Sequence, residues 1–136
     1  MNTPELVFLL DVDNTLLDND RLKQDLERAI ASVVAPDRAS RFWSLYEEVR
    51  SEESVVNFPE TLRRFRRAFP NEPGAEDVDR AVLGVPFERY LYPRAIEVIA
   101  RLWTLGEVAI LSDGDRVYQP AKIGRASCRE RVLPTV

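Results

Sequence analysis

Asp11-Val12-Asp13-Asn14-Thr15 concentrates more chemically useful groups than any other stretch of the chain. Along an extended backbone alternate side chains point the same way, so Asp11 and Asp13 share a side where two carboxylates can address one substrate. Two close negative charges repel, and a hard divalent cation such as Mg2+ relieves the repulsion through oxygen ligation. One carboxylate can then attack as a nucleophile while the other handles the proton of a leaving group. A bare Asp-x-Asp is also the pattern of turn-forming side chains at a strand end, because Asp and Asn readily bond nearby backbone. Context tips the balance toward chemistry. An apolar run precedes the pair, Thr15 follows it, and a second stretch of similar form, Ser112-Asp113-Gly114-Asp115, lies downstream.

The rest of the composition narrows what that chemistry can be. The chain has no histidine, which excludes a Ser-His-Asp triad, a His-metal site and imidazole acid–base catalysis. Its single cysteine cannot close an intrachain disulfide or build a Cys-based zinc site. Carboxylates, hydroxyls, Arg and Lys remain. At 136 residues the chain is one domain's worth or a piece of a larger protein, and 45% hydrophobic with 31% charged residues is ordinary for a globular protein. Nineteen basic against 23 acidic residues give a net charge of −4, which argues against a general nucleic-acid binder. The run Leu6–Leu10 is too short for a signal-peptide core or a membrane span, and no other segment is better suited. The expectation is a cytoplasmic chain with no membrane partner.

The elements that must position these groups follow from hydrophobic period. Leu6-Val7-Phe8-Leu9-Leu10 is a continuous apolar run ending at Asp11, which predicts a short strand buried on both faces of a parallel sheet. From Asp20 the period becomes helical, with Leu22, Leu26, Ile30 and Val33 on one face up to Pro36. A second helix is predicted from Pro36 to Ser51 around Phe42, Leu45, Tyr46 and Val49, and a third from Pro59 to Phe69. The third turns Leu62, Phe65 and Phe69 inward and Arg63, Arg64, Arg66 and Arg67 outward, more simply a solvated helix face than an anion patch. A short helix from Glu76 to Leu83 follows. After Pro93, Ile96, Ile99, Ala100 and Trp103 form a further apolar stripe, and Gly106 is placed for a left-handed helix cap. Val108-Ala109-Ile110-Leu111 then reads as a second buried strand. Two such strands joined through helices imply an α/β fold with a right-handed parallel crossover. That crossover is far longer than the minimum, so a helical subdomain is inserted within it.

These motifs together resemble the haloacid dehalogenase-like hydrolase superfamily. The resemblance rests on Leu6–Leu10 with Asp11-Val12-Asp13-Asn14-Thr15-Leu16, on Tyr92-Pro93 opening a helix, and on Ala109-Ile110-Leu111-Ser112-Asp113-Gly114. It implies a Rossmann-like parallel-sheet core, incomplete here, carrying an inserted α-helical cap. It implies that Asp11 is the nucleophile that forms an aspartyl-phosphate. Asp13 is then the general acid/base and, with Asp11, a ligand of a Mg2+ cofactor. Ser112 corresponds to the residue that hydrogen-bonds the transferring phosphoryl group, with Asp113 and Asn14 beside the substrate. Lys122 is the one nearby candidate for the family's charge-neutralising lysine. The acidic pair that completes the family's metal site has no counterpart in this chain. An aspartate at position 13 favours phosphoryl transfer over dehalogenation, since an alkoxide leaving group needs a proton and a halide does not.

The expected organisation is a core from residues 1–19 and 90–122, a helical cap from 20–89, and a tail from 123–136. The tail holds the only cysteine, has no apolar periodicity that continues the α/β pattern, and resembles the conceptual translation of a sequencing adaptor. The genuine coding frame is therefore expected to end near Lys122, leaving an N-terminal piece with little activity of its own. The expected partner is a small phosphorylated metabolite rather than a nucleic acid; oligomeric state is not encoded in any motif. A dehalogenase or phosphonate-cleaving relative and a non-catalytic binding module on the same fold are the alternative readings.

Overall fold

The computed structural model describes residues 6–112 and 131–134. Their elements run β1 (Val7–Asp11), α1 (Asn19–Val33), α2 (Pro36–Glu53), α3 (Phe58–Ala68) and α4 (Ala75–Leu83). A 3-10 turn (Phe87–Tyr90), α5 (Ala95–Trp103), β2 (Glu107–Ser112) and β3 (Arg131–Pro134) complete the order. The chain divides into two compact units. One is formed by Met1–Asn19 with Phe87–Val136, the other by the continuous segment Asp20–Pro86.

In the first unit the sheet order is β1-β2-β3 with every pairing parallel. β1 and β2 are in register from Val7 opposite Glu107 to Asp11 opposite Leu111, so their carboxyl ends finish side by side. This is the α/β architecture expected of a Rossmann-like core. Residues 131–134, set apart from the α/β pattern by their composition, pair as a strand from Ala109 opposite Arg131 to Ser112 opposite Pro134.

β2 has the burial its apolar run predicts, with Val108, Ala109 and Ile110 all at 5% exposure or less. β1 does not. Val7 is 48% and Leu9 57% exposed while Phe8 and Leu10 are half-buried, so one face of the strand is open among the described residues. Alternate side chains point to opposite faces, so Val7 and Leu9 share the open face and Phe8 and Leu10 the covered one. The stripe on α5 also differs. Ala95 and Ile99 are buried, whereas Ile96 and Ala100 face outward.

Gly106 is needed for a reason other than the left-handed cap. A Cβ there would lie 2.2 Å from the Leu6 carbonyl oxygen, the same oxygen that accepts the Glu107 N–H at 2.8 Å. The close approach starts the β1–β2 pairing, and only a residue without a side chain permits it.

The second unit packs α1 to α4 around their inward stripes. Leu22, Leu26 and Ile30 of α1, Phe42, Leu45, Tyr46 and Val49 of α2, and Leu62 and Phe65 of α3 are buried. Aromatic edges interlock α2 and α3, with Phe42 and Phe65 centroids 5.7 Å apart and Tyr46 and Phe58 5.2 Å apart. Phe42, Tyr46 and Phe65 are thus core residues of this unit rather than the lining of a pocket. Among the described residues no helix is long and apolar enough to cross a membrane.

Candidate active site

The chain leaves β1 at Asp11 and immediately coils. The Val12 carbonyl accepts three backbone N–H groups, from Thr15 at 3.1 Å, Leu16 at 2.9 Å and Leu17 at 3.1 Å. Such a turn requires a left-handed residue, and Asn14 supplies it with φ 57°. Asn is among the few residues other than glycine that enter this region at modest cost. The Asn14 N–H then donates to the Leu17 carbonyl at 2.7 Å. Val12, Leu16 and Leu17 anchor the coil at 1%, 5% and 0% exposure, while Asn14 and Thr15 between them stay at the surface.

Two further ties hold the coil from outside. The Tyr92 N–H donates to the Leu16 carbonyl at 2.9 Å, and the Asp18 N–H donates to the Tyr90 carbonyl at 2.7 Å. Between them Leu17 bridges Leu91 in antiparallel fashion. The segment 90–92, noted in the sequence only as the approach to a helix, is therefore part of the platform beneath the site. Alternating backbone bonds of this kind leave no signal in residue type.

Asp11 is exposed, Val12 buried and Asp13 half-buried. That alternation turns both carboxylates away from the packed side of the strand. The register carries Asp11 to the level of Leu111, one residue before Ser112 at the end of β2. The ends of the two strands thus bring Asp11, Asp13 and the position of Ser112 into one neighbourhood of the first unit. Asn14 is exposed, and its side-chain oxygen accepts the Asn19 N–H at 2.9 Å. Asp113 and Lys122 lie outside the described residues. Thr15 carries no role of its own in the motif's pattern, yet its Oγ1 donates to Asp11 Oδ2 across a long 3.4 Å contact. A hydroxyl four residues beyond the first aspartate, across a tight turn, was the signal for it.

For a metal ion the available donors are hard. The Asp11 carboxylate and the carboxylate and backbone carbonyl of Asp13 are oxygen ligands, the chemistry Mg2+ prefers. Among the described residues no group of three or more His, Cys, Asp or Glu side chains is arranged to hold a metal. The donors at the end of β1 therefore fit part of a Mg2+ ligand set. A groove on the helical unit, lined by Trp43 with Glu27, Glu47, Glu48 and Glu52, has the wrong charge for an anionic substrate.

No protein-family model and no curated protein matches the chain. Solved structures do. A haloacid dehalogenase-like hydrolase from Burkholderia xenovorans LB400 superposes with a TM-score of 0.83 and 33% identity, over 96% of this chain and 61% of that protein. The magnesium-bound HAD-hydrolase YfnB from Bacillus subtilis follows at TM-score 0.57 and 17% identity, over 97% of this chain and 66% of its own. A dehalogenase matches at TM-score 0.57 and 20% identity, over 99% of this chain and 64% of its own. At such identities the last two speak to the fold alone. The chain spans 61–66% of the length of these proteins. A third of its residues and nearly the whole of its fold are thus in common with the Burkholderia protein, a haloacid dehalogenase-like hydrolase.

Proposed function

We propose that the chain is part of a Mg2+-dependent phosphatase that acts on a small phosphorylated metabolite, in the cytoplasm, through an aspartyl-phosphate at Asp11. The observation that carries this reading is the exposed, buried, half-buried order of Asp11, Val12 and Asp13 where two adjacent parallel strands end. A carboxylate oxygen of Asp11 attacks phosphorus as the bond to the leaving oxygen breaks, and Asp13 gives that oxygen its proton. Asp13 then takes a proton from water, which attacks the aspartyl-phosphate to release inorganic phosphate and restore Asp11. The Asp11 carboxylate and the Asp13 carbonyl would hold Mg2+, whose contribution is to offset the negative charge gathered around the phosphoryl group. Magnesium bound to the Bacillus neighbour supports that assignment. Ser112, at the end of β2, would donate to the phosphoryl oxygens.

Asp13 also bears on the choice between phosphate esters and halides. A halide departs without a proton, so an acid at this position supports phosphoryl transfer over dehalogenation.

The test is a pair of assays on the gene product of full length, with a generic phosphate ester and a 2-haloacid, each on wild type and Asp11→Asn. The phosphate ester should be hydrolysed by wild type and lose about a thousandfold or more in kcat in the variant. Undiminished turnover by the variant, or preference for the haloacid, would overturn the proposal. Turnover of neither substrate would leave a binding module on this fold.

A further inference from the structure

Asn14 does two separate things at the turn beside Asp13. Its backbone takes the left-handed conformation, φ 57°, that closes the coil around the Val12 carbonyl. Its side chain reaches past that coil, and Oδ1 accepts the N–H of Asn19, the first residue of α1, at 2.9 Å. The same N–H also meets the Leu17 carbonyl at 2.9 Å, so a three-centre bond gathers the beginning, the end and the exit of the turn at one point.

Asp13 lies between the two fixed residues. On one side Val12 is buried at 1% exposure and its carbonyl receives three N–H groups. On the other Asn14 is held by its own N–H to Leu17 and by its side chain to Asn19. With both flanking peptides restrained, the backbone from which the Asp13 carboxylate projects is held in place. A proton donor gains most from such restraint, because its benefit depends on a narrow range of distance and angle to the leaving oxygen.

We infer that Asn14 is a positioning residue that holds Asp13 through the Oδ1···H–N bond to Asn19, and not a residue that touches substrate. The inference rests on the phosphatase reading of Asp13. The residue type fits the double task. Glycine would give the left-handed turn without the clip, alanine would give neither, and aspartate would keep both.

The experiment compares wild type, Asn14→Gly and Asn14→Asp in the full-length protein. It follows the Asn19 amide resonance and the steady-state hydrolysis of a generic phosphate ester. In Asn14→Gly the Asn19 amide proton should move upfield as it loses an acceptor. In the same variant kcat should fall roughly ten- to a hundredfold, with KM changed by less than about twofold. Asn14→Asp should keep the amide resonance and recover most of kcat. Wild-type kcat in Asn14→Gly, a raised KM at unchanged kcat, or an Asn14→Asp variant that restores the amide but not turnover would each overturn the assignment. The second of these would make Asn14 a substrate contact. Absence of turnover in wild type is a different result, and removes the phosphatase reading itself.

Discussion

A carboxyl group that hands over a proton matters most when the leaving group is a poor one. An alkoxide departs badly without protonation, whereas a nitrophenolate is stable enough to leave unaided. Asp13→Asn should therefore cost an alkyl phosphate roughly a hundredfold or more in kcat and 4-nitrophenyl phosphate far less. Equal losses on the two substrates would show that Asp13 does not act as an acid. Gly106 makes a prediction of another kind. With a Cβ placed 2.2 Å from a backbone oxygen, Gly106→Ala must push the start of β1 away from β2, and should destabilise by about 2 kcal/mol in denaturant melts. At this scale the sequence displayed the carboxylate pair clearly, since Asp-x-Asp after an apolar run is an unusual use of charge. The reason for Gly106 was hidden, because a close approach between residues 6 and 106 belongs to the pairing of two strands and not to the local chain. Asn14 was legible as a turn residue. Its hydrogen-bond partner was not.

Elements are held by their ends as much as by their faces, and α3 shows this well. Asn57 caps it by accepting the Glu60 N–H at 3.0 Å, and Glu60 in turn receives Arg63 at 2.7 Å and Arg64 at 2.9 Å. Arg64 continues to Glu52 near the end of α2, and Arg66 pairs with Asp79 of α4, so the outward arginines stitch three helices together. Two guanidinium groups hold the Glu60 carboxyl down to about 2 from its usual 4.5. Because the folded value is the lower one, the stabilisation is complete above about pH 4.5 and is lost as the pH falls toward 2. Glu60→Gln should cost about 1 kcal/mol at pH 7 and progressively less as melts are repeated from pH 4 to pH 2. A pH-independent difference would show that packing rather than charge is lost. Helices of this kind were readable from sequence because a buried stripe repeats every three or four residues, and every stripe residue named on α2 is buried. β1 was harder. A run of five apolar residues says that a strand is favourable but not what covers each of its faces, so Val7 and Leu9 read as buried when they are exposed. On α5 the apolar residues occupy more than one face, and periodicity alone could not choose Ala95 and Ile99 over Ile96 and Ala100.

The two units differ in how they are built, and this bears on how they come apart. Asp20–Pro86 is one continuous segment with its own aromatic core, so its contacts are made between helices near one another in sequence. The other unit is assembled from two distant stretches of chain. It also leaves apolar side chains at the surface, with Val7 48%, Leu9 57%, Ile96 42% and Val98 51% exposed. Apolar area left in water contributes nothing to folding, and long-range pairing costs more chain entropy than local packing does. The sheet-bearing unit should therefore unfold first. Each unit carries one of the two tryptophans, Trp43 in the helical segment and Trp103 on α5, so their fluorescence can separate the transitions. In urea, Trp43→Phe leaves Trp103 to report on the sheet, and Trp103→Phe leaves Trp43 to report on the helices. The Trp103 signal should have its midpoint lower by about 1 M urea, with circular dichroism at 222 nm retaining most of its helical signal after that first step. Coincident midpoints would mean that the units unfold as one cooperative body, and that the exposed face of β1 costs the sheet less than its composition suggests.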